Sequence, residues 1–75
     1  MTRLPACKPR EVIRALERAG FFVRRIKGSH RYMQHRHDRS RITVVPYHNR
    51  DLKPGTLSRI VKDAGLSLQE FVDLL

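Results

Sequence analysis

The spacing of apolar residues changes twice along this chain, from helical to alternating and back to helical, and that change limits the folds open to it. In "KPREVIRALERAGF", Val12, Ile13, Leu16 and Ala19 fall on one helical face, with Arg10, Arg14, Glu17 and Arg18 opposite. Pro9 suits the first helical turn, where its missing N–H is not needed, and Gly20 suits a left-handed stop. The pattern then alternates: "FFVRRI", a turn at Lys27-Gly28, "SHRYMQHR", a polar turn "HDRS", and "RITVV" running into Pro46. Three short strands with short connections read as an antiparallel meander. In the third, Ile42 and Val44 share one face, Thr43 and Val45 the other, and Pro46 cannot donate to a ladder, so pairing should fade there. "PYHNRDLKPG" reads as a loop. Helical spacing returns in "TLSRIVKDAGL", with Leu57, Ile60, Val61 and Ala64 on one face and Gly65 as its stop. Ser67 and Glu70 have capping-box spacing at the head of "SLQEFVDLL", whose buried side is expected to be Leu68, Phe71, Val72 and Leu75.

The expected fold class is therefore α+β: a helix, a three-stranded antiparallel sheet, a second helix and a short extra C-terminal helix. Helices covering one face of such a sheet leave its other face or an edge free to bind. With 75 residues the chain is expected to form one domain, 1–75. The single cysteine, Cys7, has no internal partner, which suits a reducing cytoplasm, and it is expected to be inert. The N-terminal stretch "MTRLPACKPREV" lacks the apolar run of a signal peptide, and no segment has the length of uncharged apolar sequence needed to cross a bilayer. The reading is a soluble cytoplasmic protein with no membrane association.

Charge then narrows the choice of partner. Lys and Arg number 16 against 7 Asp and Glu, a formal net charge of +9. The excess is concentrated: Arg24, Arg25, Lys27, Arg31, Arg36, Arg39 and Arg41 crowd the middle of the chain with only Asp38 against them, whereas Asp63, Glu70 and Asp73 lie in a C-terminal segment without a base. A polyanion should approach the strands. A merely solvated basic surface is the plainer account of the same residues.

The local chemistry centres on "KGSHRYM", Lys27 to Met33. Histidine exchanges protons near neutral pH without special tuning, and RNA carries its own nucleophile in the ribose 2′-hydroxyl. Cleavage then needs a base, an acid and cations, so a metal is optional and no cofactor is called for. In the functional reading Gly28 lets the backbone approach a phosphate, Ser29 offers its hydroxyl or N–H, Lys27 and Arg31 bring charge, and His30 moves the proton. In the plainer reading the tripeptide is a polar hairpin turn with a histidine exposed on the sheet. His35 and His37 alternate around Arg36 and share a strand face, but no third ligand completes a metal site and the flanking arginines repel a cation, so they belong to a solvated hairpin end. His48 either assists at an active site or orders its loop. No Gly-rich phosphate loop, Gly-flanked nucleophilic serine or acidic cluster for a two-metal nuclease is present.

The order "AGF…R.KGSHRYM…VPYH…GTLSRIVKDAGLSLQEFVDLL" resembles the HicA toxins, small RNA-cleaving proteins of bacterial and archaeal toxin-antitoxin pairs. Pro46-Tyr47-His48, the Gly55-Thr56-Leu57 helix start and the Ala64-Gly65-Leu66-Ser67 ending extend the likeness over most of the chain. The resemblance implies an αβββα fold like the double-stranded RNA-binding domain, mRNA cleavage, a catalytic histidine at His30, and a HicB-type antitoxin that covers the active surface in a hetero-oligomer. The doubled aromatic Phe21-Phe22 and the histidine-rich stretch from His35 to His37 depart from the family pattern without touching the motif.

The residues and the resemblance together lead to the expectation of a metal-independent endoribonuclease toxin. His30 would act as first-step base toward a cyclic phosphate, with Arg25, Lys27, Gly28, Ser29, Arg31, Arg41 and His48 as RNA-binding residues. Two rivals share the fold and charge. One is a noncatalytic module that binds double-stranded RNA by shape, the other an adaptor that binds only protein.

Overall fold

The computed structural model describes residues 3–75, so Met1 and Thr2 of the N-terminal stretch read above lie outside it. Pro9 opens the first helix, α1 (Pro9–Arg18), and the Glu11 side chain reaches back to accept from the Lys8 N–H at 2.9 Å. The buried side is Pro9, Val12, Ala15 and Leu16. Ile13 is only half-buried at the margin, and Ala15, which periodicity did not single out, sits in the core. Gly20 follows in the left-handed region at φ 97°, and the chain turns into the sheet.

The strands β1 (Phe21–Lys27), β2 (His30–His35) and β3 (Ile42–Pro46) pair antiparallel in the order β1-β2-β3. Across this sheet Phe21 lies opposite His35, while Val23, Met33 and Thr43 share one rung. Phe21, Met33, Thr43 and Val45 are buried beneath the helices, with Val23 packed at their margin. Partners directly opposite in an antiparallel pair point to the same side, so the rungs between these form the other face. Among the described residues no helix covers that face: α1 packs on β1 and β3, and α2 (Pro54–Asp63) packs on β3.

β1 does not alternate throughout. Its register against β2 slips between Val23 and Arg25, a bulge with Arg24 as the extra residue. Strict alternation from Phe21 and Val23 would aim Arg25 at the helices. Because of the bulge, Arg25 instead lies opposite Tyr32, Ile26 opposite Arg31, and Lys27 opposite His30.

Pro46 ends β3 as expected, but pairing continues one residue further, since the Tyr47 N–H donates to the Ser29 carbonyl. The second helix starts before its expected boundary: Pro54 occupies the first helical position, where its fixed φ is suited, and Gly55 lies inside the helix. Thr43, buried in the sheet, donates from Oγ1 to the Ile60 carbonyl at 3.0 Å and ties β3 to α2.

The last helix, α3 (Leu68–Leu74), has both halves of the capping box: Glu70 N–H to Ser67 Oγ at 3.0 Å, and Ser67 N–H to Glu70 Oε1 at 2.8 Å. Its buried side differs from the expectation. Only Phe71 is buried, while Leu68 and Leu75 are exposed and Val72 is half-buried. Two turns of helix at the edge of the domain present one full position to the core, with Leu74 packed beside it. The core is otherwise continuous, built chiefly from Leu16, Phe21, Met33, Leu57, Ile60 and Phe71. Truncating any of these large residues to alanine should cost about 2–5 kcal/mol. Among the described residues no helix is long and apolar enough to cross a membrane.

Candidate active site on the open sheet face

The turn between β1 and β2 has two residues, Gly28 and Ser29, closed by the Lys27–His30 rung. Gly28 has φ 57°, and this is the position at which a type II′ hairpin requires a glycine. A Cβ built there would meet nothing within 4 Å, so the residue is set by backbone conformation and not by crowding. Both turn carbonyls are engaged: Arg31 Nη1 reaches Gly28 O at 3.4 Å, and the Tyr47 N–H donates to Ser29 O at 2.6 Å. The backbone at His30 is therefore held from two sides while its side chain remains exposed.

His30 projects from the open face. Its imidazole has no hydrogen-bond partner among the described residues, so both ring nitrogens are available to a ligand. Lys27 shares its rung, and Arg25 occupies the next one beside Tyr32, with the guanidinium 5.5 Å from the ring centroid. Arg24 and Arg39 flank this face around a shallow depression of about 380 Å³ that Phe22 and Gln34 also line. No acidic residue lies in β1, β2 or β3. The nearest carboxylate in the sequence, Asp38, accepts from the Ser40 hydroxyl at 2.6 Å and the Ser40 N–H at 3.0 Å. These bonds, with smaller help from the Arg41 charge, hold its carboxyl below the usual range.

Other residues expected to bind RNA are placed differently. Arg31 alternates to the helix side, where its guanidinium lies 4.3 Å from the centroid of Tyr47. Arg41 immediately precedes β3 and is half-buried. Its Nε donates to the Ala64 carbonyl at 2.8 Å, and its guanidinium stands 5.4 Å from the Phe21 centroid. It serves as a cap on the C-terminal end of α2, where a cation also meets the helix dipole favourably. His48 lies in the loop beyond β3 and accepts the Arg50 N–H at Nδ1 (3.1 Å). With Arg50, Lys53 and Thr56 it lines a separate depression of about 400 Å³ at the start of α2.

His35 and His37 do not share a strand face, because β2 stops at His35. Nor is His35 solvated. Its Nε2 lies 3.1 Å from Ala19 O, its Nδ1 accepts the His37 N–H at 3.1 Å, and its ring meets Phe21 edge-on at 5.2 Å. A carbonyl can only accept, so Nε2 is the donor and the ring caps the end of α1. Among the described residues no group of three or more His, Cys, Asp and Glu is arranged to hold a metal ion. Cys7 is buried, and burial first, then Glu11 and Asp51, pushes its thiol pKa up, which keeps it a poor nucleophile.

The family model of the HicA toxins of bacterial toxin–antitoxin systems matches residues 9–66, more than three quarters of the 75 residues. The chain belongs to the HicA toxin family. The matched span begins with α1 and takes in the whole sheet, the Gly28-Ser29 turn and α2, leaving α3 beyond it. Membership of a toxin–antitoxin family carries with it an antitoxin as partner. No curated protein matches the chain significantly. For a HicA toxin, the αβββα order and the open sheet agree with the fold expected from the sequence. Tyr32, which sequence reasoning does not single out, lies on the exposed face, as does Phe22 of the doubled aromatic, with Arg24 of the basic run beside it. The doubled aromatic was visible, but which of the two rings faced outward was not.

Proposed function

We propose that this HicA toxin is an endoribonuclease that cleaves mRNA without a metal, with His30 as general base, and that a HicB-type antitoxin restrains it. The observation that carries the reading is the unpartnered imidazole of His30, exposed on a cationic sheet face and backed by Lys27 on its own rung. In the reaction the 2′-hydroxyl proton passes to His30 as O2′ attacks phosphorus. The P–O5′ bond breaks, and the leaving oxygen takes a proton from solvent or a second acid. The products are a 2′,3′-cyclic phosphate and a 5′-hydroxyl. Lys27 and Arg25 meet the charge on the phosphate. Arg41 is given no phosphate contact in this reading, because its Nε donates to Ala64 O and its guanidinium lies beside Phe21, away from the open face.

A positioned general base contributes roughly 10²- to 10⁴-fold. Purified protein should cleave mRNA in the presence of EDTA, and His30→Ala should slow cleavage by about that factor. Circular dichroism and RNA affinity should stay near those of the parent. Undiminished cleavage by the variant would place the chemistry on another residue. A parent protein that binds RNA and never cuts it would favour the noncatalytic module.

A further inference from the structure

Beyond the proton transfer assigned to His30, the open face carries a second kind of chemistry. Three rungs cross it in order: Lys27–His30–Pro46, then Arg25–Tyr32–Val44, then Phe22–Gln34–Ile42. The first holds the imidazole and a cation, the second a phenol ring and a cation, the third a phenyl ring and an amide. Tyr32 and Phe22 are each half-exposed with a guanidinium nearby, Arg25 at 5.5 Å and Arg36 at 5.9 Å from the ring centroids.

We propose that this face is a platform for unpaired RNA bases, with Tyr32 and Phe22 as stacking surfaces next to the scissile phosphate at His30. The proposal deepens the nuclease reading by naming the form of RNA that the site takes. An aromatic ring beside a guanidinium suits a nucleotide, because the base stacks on the ring and the cation meets its phosphate. Gln34, on the same rung as Phe22 and lining the depression with Phe22, Arg24 and Arg39, offers a donor and an acceptor to a base edge.

Spacing decides between single strand and duplex. Same-face residues two apart on β2 are separated by roughly 7 Å, whereas stacked bases in a duplex strand repeat at about 3.4 Å. Bases seated on successive rungs are therefore unstacked from one another. A duplex presents phosphates and 2′-hydroxyls to a protein, and these give Tyr32 and Phe22 nothing to stack on. An acidic protein segment would match the charge but would not use two rings on the rungs that follow an exposed imidazole.

The test is binding by the full chain carrying His30→Ala, read by fluorescence anisotropy. The probes are a short unstructured RNA and the same RNA annealed to its complement, at matched salt. The single strand should bind about tenfold or more tightly than the duplex. Tyr32→Leu and Phe22→Leu should each weaken single-strand binding by roughly tenfold without changing the salt slope, since no phosphate contact is lost. Tyr32→Phe should bind like the parent, which separates stacking from loss of fold, and Arg25→Ala should reduce the salt slope by about one. Equal or tighter duplex binding, or leucine variants with parental affinity and parental thermal midpoints, overturns the platform. So does capture of a Glu-rich peptide by a protein that binds neither RNA. Because these measurements need no cleavage, the platform stands or falls separately from the nuclease reading, which the EDTA assay on the parent decides.

Discussion

β2 has a histidine at each end, and the two are put to opposite uses. At its start, His30 stands on the open face beside a turn with empty space around Gly28. At its finish, His35 lies against Phe21 and Gly20, with one ring nitrogen on Ala19 O and the other on the His37 N–H. Arginine divides in the same way. Arg25 is carried to the open face by a bulge, while Arg41, across the second hairpin, is bound to Ala64 O. The second hairpin thus fastens both Ala-Gly helix ends, His35 on α1 and Arg41 on α2. A ring with both nitrogens engaged within the fold has none left for a ligand, and a side chain tied to a helix end is held away from the open face, which separates the two ends better than residue type does.

Between the two ends of β2, the largest expected effect on stability comes from crowding the closed one. At Gly65, φ is 74° and a Cβ would lie 2.9 Å from Arg41 Nε, so Gly65→Ala adds backbone strain and also disturbs the cap on α2. The combined loss should be about 2–3 kcal/mol, whereas Gly28→Ala, with strain alone, should lose about 1 kcal/mol. Urea midpoints read the difference, and equal costs would mean that Arg41 does not hold the helix end.

A smaller effect sharpens the contrast between the histidines. His35→Ala should destabilise by about 1–2 kcal/mol, through the lost bond to Ala19 O and the lost packing on Phe21, and should leave cleavage per folded molecule unchanged. His30→Ala should do the reverse, with stability within about 0.5 kcal/mol of the parent and cleavage lost. A His35 variant of parental stability would dissolve the comparison.

The smallest effect lies in acid. Ser67 holds the Glu70 carboxyl below its ordinary value through its N–H first and its hydroxyl second, and Ser40 does the same for Asp38 through its hydroxyl and N–H. A carboxyl whose folded pKa is depressed contributes stability above its unfolded pKa and loses it as pH falls through the folded value. Stability should therefore decline as pH falls below about 4.5 for Glu70 and about 3.8 for Asp38. Both groups are exposed, so the decline should be shallow. Glu70→Gln, which removes the titrating carboxyl that the Ser67 N–H holds, should remove the Glu70 part of it in pH-dependent urea titrations, and an unchanged slope would show that the capping box does not bind the proton equilibrium to folding.

Much of the fold could be read without coordinates, because it rests on local rules. Apolar periodicity located both main helices and all three strands, and the two glycine stops and the Ser67–Glu70 box fell where cap chemistry places them. What local rules left open concerns residues whose surroundings are not local. α3 buries Phe71 without Leu68 or Leu75, because a two-turn helix at the edge of the domain has neighbours on one side only. Arg41 resembles the other arginines until Ala64 is seen 23 positions away at the end of a helix.

The amino-acid order alone determined the helix–sheet–helix succession, the cationic middle and the Gly-Ser-His corner, since periodicity, composition and turn preference act over a few neighbouring residues. Which side of the sheet each charge would occupy was settled only in three dimensions. A bulge at Arg24 reverses the alternation of every later residue in β1, bringing Arg25 and Lys27 to the side of His30. Alternation read from sequence assumes an unbroken pleat, and the cross-strand pairing that relocates these side chains exists only once β2 has paired with β1.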